Sequence, residues 1–185
     1  GARGPLGDVV NLALVGSAEQ VRNAFAAAGW SVATKMTMRT DFETFLKAAR
    51  GEGYEEQPVS TLMLDQRPPD LAFEKLTDTF VKRHHARIWR WNDAADSTVW
   101  LVAATHDRGI EFSEARHTFT HLVDPDIDVE RDKIVSDLIA AGAVAAFRDL
   151  ARTPPTGLVT MNDGRSPVAT DWRLVVLRLQ NPHGP

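Results

Sequence analysis

Lys82-Arg83-His84-His85-Ala86-Arg87-Ile88-Trp89-Arg90-Trp91 decides the reading of the chain. Along an extended strand successive side chains point to opposite faces. His84, Ala86 and Ile88 therefore share one face, which reads as core with His84 at its edge. His85, Arg87, Trp89 and Trp91 share the other, which reads as a cationic groove with aromatic walls. Extended segments follow at 98–106, 110–113 and 117–123, with a hairpin loop at 92–97 and a tight turn at Arg108-Gly109. Parallel neighbours would need long crossover connections, which these segments lack, so they are expected to pair antiparallel.

Working outward, 9–15 reads as a buried strand ended by Gly16-Ser17. Ser17 with Gln20 three residues on is a capping-box pattern for a helix over 18–28 that stops at Gly29, and 30–33 is extended again. Thr40 with Glu43 marks a second helix over 41–49. Short strands are expected at 59–64 and 70–75. On the C-terminal side, Asp124-Pro125 opens a helix to about Ala141 with Ile127, Ile134, Leu138 and Ala141 inward and Gly142 beyond. Residues 144–150 suit a strand or a short helix, 152–167 a long loop, and 172–179 a final strand. The expected fold is α+β: one domain over 9–180, between a flexible lead-in at 1–8 and a tail at 181–185. It has a mostly antiparallel sheet of about seven to nine strands and two or three helices packed on it.

Composition narrows the function. The 185 residues suit one domain with a sizeable core. The formal net charge of −4 argues against a general nucleic-acid binder. Cysteine is absent, which excludes disulfides, thiolate metal ligands and a cysteine nucleophile. No apolar run approaches the roughly 20 residues that span a bilayer. The opening Gly1-Ala2-Arg3-Gly4-Pro5, without methionine, reads as an excised fragment or tag remnant.

Five of the six histidines, His84, His85, His106, His117 and His121, lie between Lys82 and Asp132. Arg83, His85 and Arg87, with Trp89 as a wall and Arg131 from the helix, are candidate ligands for a phosphate or carboxylate. His117 and His121, on one strand, would stand roughly 13 Å apart and cannot share a metal. A metal would instead draw on His85, His121, Asp107 and Asp128. The same His85, His121 and Asp107 are the candidates for acid–base catalysis. Asp124, Asp126 and Asp128 imitate the start of a calcium loop, but Val129 replaces its glycine and Val135 its bidentate glutamate. Carboxylates at a helix N-terminus, offsetting the macrodipole and capping free N–H groups, are the simpler account.

Several separated blocks stand out in order: Asn11-Leu12-Ala13-Leu14-Val15-Gly16-Ser17, Ala28-Gly29-Trp30, Pro58-Val59-Ser60, Leu71-Ala72-Phe73-Glu74-Lys75, Arg83-His84-His85, Ala103-Ala104-Thr105 with Asp107, and the acidic run from Asp124 to Asp132. Together they resemble the LssY-like C-terminal domain family. The resemblance covers roughly 8–140. It implies a bacterial domain often joined to DedA-like or lipid-phosphatase-like membrane parts. Two functions are carried forward. The first is an accessory module of a membrane-associated protein that binds an anionic ligand such as a phospholipid headgroup, with a membrane-embedded region of the same full-length protein as partner. The second is a metal-dependent or acid–base hydrolase of a phosphorylated or acyl substrate. No sequence motif names a cofactor.

Overall fold

The computed structural model describes residues 9–33, 64, 67–76, 83–94, 97–113, 118–155, 159–160 and 167–181, with backbone alone at 93–94, 107, 109–113 and 118–122. The helix expected over 41–49 and most of the strand expected over 59–64 lie outside these residues.

β1 (Leu12–Val15) buries Leu12 and Leu14 completely and runs into Gly16. Ser17 then caps α1 (Ala18–Ala27) through the anticipated box: its hydroxyl accepts from the Gln20 N–H at 3.1 Å, and the Gln20 side chain accepts from the Ser17 N–H at 2.7 Å. Gly29, at φ 77°, takes the left-handed turn after the helix that a side chain would resist. β2 (Ser31–Val32) pairs antiparallel with β3 (Leu71–Leu76), and β3 with β4 (Arg83–Ala94). β4 turns back into β5 (Ser97–Ser113), then β6 (Thr118–Val123), α2 (Ile127–Ala140), β7 (Val144–Ala151) and β8 (Arg173–Leu179) follow.

The sheet order is β2-β3-β4-β5-β1-β8-β7, with β6 paired to β5 off this path. Among the described strands only the β1–β8 pair is parallel, so the fold is α+β with a mostly antiparallel sheet, and the described residues hold two helices. The 144–150 segment resolves to a strand, antiparallel to β8.

The Arg108-Gly109 turn is a correction. β5 passes straight through these residues, with a register shift between Asp107 and Gly109. Its first part lies between β4 and β1, and its second part leaves that sheet to pair with β6. A bulge can re-aim a strand without ending it, and glycine is common at one.

The core lies on one face of the sheet. Leu12, Leu14, Phe73, Ala86, Ile88, Trp100, Val102, Ala104, Val175 and Leu177 meet Val21 and Phe25 of α1 and Ile134 and Leu138 of α2 in one apolar cluster. Phe25 stacks on Phe73 with centroids 4.4 Å apart, and Trp30 meets Phe25 edge-on at 5.6 Å. The Trp100 indole donates to the Gly16 carbonyl at 2.9 Å, which ties the β1–α1 corner to β5.

Candidate functional site

β4 divides its side chains between the two faces in the order the alternation requires. On the face away from the core cluster, register aligns Glu74 of β3, His85 of β4 and Thr105 of β5 in one row, and Ala72, Arg87 and Ala103 in the next. Glu74, Arg83, His85 and Thr105 are all buried and Arg87 is half-buried. The Arg87 guanidinium donates to the Thr105 hydroxyl at 3.1 Å. Arg83 pairs with Glu74 at 3.5 Å, a charge contact too long for a strong hydrogen bond. These groups form a dense polar patch in surroundings where charge interactions are stronger than in water.

Trp89 belongs to this face but does not stand as an open wall. It is 1% exposed, and its indole N–H donates to the Arg67 carbonyl at 3.0 Å. Trp91 is exposed, beside the register shift that separates Arg90 from Asn92.

The opposite face of β4 carries His84. Its Nδ1 lies 2.7 Å from Oε2 of Glu130 on α2, and its ring stacks on His106 of β5 with centroids 4.6 Å apart and planes at 17°. His84 and His106 are direct cross-strand partners, and Trp30 lies against His84 at 6.3 Å. One ligand atom from each of His84, His106 and Glu130 falls within 4.8 Å of the others. Glu130 is 1% exposed and, among the described residues, its Oε1 accepts no hydrogen bond. The sequence reading passed over this trio. A signal was present: Glu130 falls on the inward stripe of α2, three residues after Ile127 and four before Ile134, where an apolar residue is expected.

The acidic start of α2 works as the electrostatic account requires, two residues later than Asp124-Pro125 suggests. Asp126 is the N-cap, accepting from the N–H groups of Asp128 and Val129. Asp128, proposed from sequence as a metal ligand, is committed elsewhere. It accepts from Asn11 Nδ2 at 3.1 Å, from the Thr170 hydroxyl at 3.1 Å, from Arg131 at 3.0 Å and from the Asp171 N–H. Arg131 also donates to Asp132 at 2.8 Å and, through both terminal nitrogens, to Asp171 at 2.9 and 3.2 Å. Arg131 thus fastens α2 to the segment entering β8.

The sequence-derived candidates separate accordingly. Arg83, His85, Arg87 and Trp89 share one side of the sheet. Arg131 and Asp128 sit on α2, which packs on the other side, so neither joins the basic set and Asp128 cannot share a metal with His85. The backbone of Asp107 pairs with Val123, and that of His121 with Ile110. Their side chains lie outside the described atoms.

These features define an α+β domain with a helix-covered core on one sheet face and a buried basic and polar patch on the other. The family model described as LssY C-terminus matches residues 1–171, and the chain belongs to that family. The match extends past the limit near residue 140 that the sequence blocks suggest, to the loop that meets Arg131. No curated protein and no solved structure matches the chain. No helix among the described residues is long and apolar enough to cross a membrane.

Proposed function

We propose that the domain is an accessory module that binds an anionic ligand, such as a phospholipid headgroup, for a membrane-embedded region of the same full-length protein. The observation supporting this reading is the row on the outer face of β4. Arg83, His85 and Arg87 stand at alternate positions, beside Thr105 on the neighbouring strand. A guanidinium offers a planar fork that matches phosphate or carboxylate oxygens, and the Thr105 hydroxyl holds the Arg87 fork in place. Arg87 and His85, two residues apart on the same face of β4, carry the reading. Arg87, less buried than its neighbours, is the side from which an anion would enter. Membrane association follows from what the family resemblance implies. The hydrolase reading ranks second, because His85 and Asp128 stand on opposite sides of the sheet.

The test is a titration of the chain with inorganic phosphate and with vesicles of anionic or zwitterionic phospholipid. Saturable binding to the anionic vesicles is expected. Arg87→Ala should weaken it about tenfold or more, since a hydrogen bond to a charged group is worth about 1.5–3 kcal/mol. Circular dichroism checks that the variant is folded. Wild-type protein that binds neither phosphate nor anionic vesicles would sink the proposal.

A further inference from the structure

We infer that His84, His106 and Glu130 form a site for one divalent transition metal, which clamps α2 to β4 and β5. This site is independent of the anion-binding reading, because it lies on the other face of the sheet.

The donor set is the first ground. Two imidazoles and one carboxylate suit zinc, manganese or ferrous iron, whereas calcium and magnesium favour shells built from oxygen. The second ground is the state of Glu130. A carboxylate this buried is costly unless its oxygens are satisfied. His84 answers Oε2, and Oε1 accepts nothing from the described residues. A cation between the three side chains would satisfy both.

Distance is the third ground. Ligand atoms bound at about 2.1 Å around a tetrahedral ion stand roughly 3.4 Å apart. The three ligand atoms already lie within 4.8 Å of one another. Closing on an ion therefore takes shifts of no more than about 1.5 Å, with the stacked rings splaying and the His84–Glu130 contact opening. The frame that holds them is stiff. His84 and His106 are fixed as a cross-strand pair, and Glu130 is fixed by a helix whose Ile134 and Leu138 are fully buried. With Glu130 sealed from solvent and His84 nearly so, the metal's role is to hold the fold, and its binding free energy adds to folding.

The experiment uses the whole chain, stripped with a chelator and titrated with cobalt(II) and zinc(II). Cobalt binding is followed by visible absorption and zinc by calorimetry, with circular dichroism monitoring the fold. One equivalent should bind saturably, and zinc should raise the melting temperature. Glu130→Gln keeps the side chain's size and an oxygen facing His84. It should weaken cobalt and zinc binding by more than about 100-fold, beyond the 10–100-fold typical of residues that merely support a ligand. His106→Gln provides the same test should Glu130→Gln fail to fold. Wild type that takes up neither metal overturns the inference and leaves His84–Glu130 as a plain hydrogen bond. Affinity unchanged in folded Glu130→Gln or His106→Gln overturns it equally, because the metal would then sit elsewhere.

Discussion

At the scale of single residues, Arg131 shows how a charge is kept inside this fold. Its side chain is 6% exposed, and it meets Asp128, Asp132 and Asp171. Burial alone would favour losing the proton, but the hydrogen bonds that Arg131 donates to Asp171 and Asp132 and the charges of Asp128 and Asp132 outweigh it and hold the guanidinium charged. The effect is reciprocal. The Arg131 hydrogen bonds bring the Asp171 carboxyl down to about 2 against the opposing effect of burial, helped by the Arg173 N–H. The sign of the pH dependence follows. A carboxyl depressed on folding stabilises the protein above its unfolded value of about 3.9, and the contribution is lost as pH falls through the folded value. Urea midpoints for wild type should therefore fall between about pH 4 and 2 more steeply than those for Asp171→Asn. Asp171 is 42% exposed, so added salt should shrink the difference. Equal slopes for the two proteins would mean that this pair does not contribute to acid stability.

At the scale of elements, local signals were legible and distant pairings were not. The Ser17–Gln20 box could be read because both partners lie within one turn of helix. Ser17→Ala should cost about 1 kcal/mol, measured by urea denaturation, and a loss near zero would mean that α1 is held by packing alone. The alternation along β4 was legible for the same local reason, and it placed His84 and His85 on opposite faces as the register has them. What failed depended on neighbours. Arg108-Gly109 carries a turn signal, yet β6 supplies a partner that keeps β5 extended. Glu130 reads as part of an acidic run at a helix start, and its place on the inward stripe marks it as buried without naming its partner. That it meets His84 depends on how α2 docks, and the two are 46 residues apart. Asp137 is a similar case. It accepts from Lys133, four residues back on α2 and legible locally, but also from Trp30 and from Lys75 of β3, which no local pattern connects to it. Burial pushes its carboxyl up, but those hydrogen bonds prevail and hold it below the usual carboxylate range.

At the scale of the molecule, the sheet is loaded unevenly, and stability should follow that unevenness. The core cluster lies between the two helices and the sheet centre, where β1, β4, β5 and β8 each contribute fully buried or nearly buried residues. β7 closes one edge of the sheet and is exposed along almost its whole length, with Phe147 at 53%. Size alone would make Phe147 the costlier side chain to truncate. Burial reverses the order. Leu138 is fully enclosed, so Leu138→Ala removes transferred apolar surface and leaves a cavity, at a cost of about 2–5 kcal/mol. Phe147→Ala removes a ring that is half in water already and should shift stability by no more than about 0.5 kcal/mol. Both variants can be measured by urea denaturation at a pH above the acid transition of Asp171. A Phe147→Ala loss comparable to that of Leu138→Ala would show that the β7 face is packed against another surface in solution. The one-sided core would then be an incomplete account of what holds the domain together.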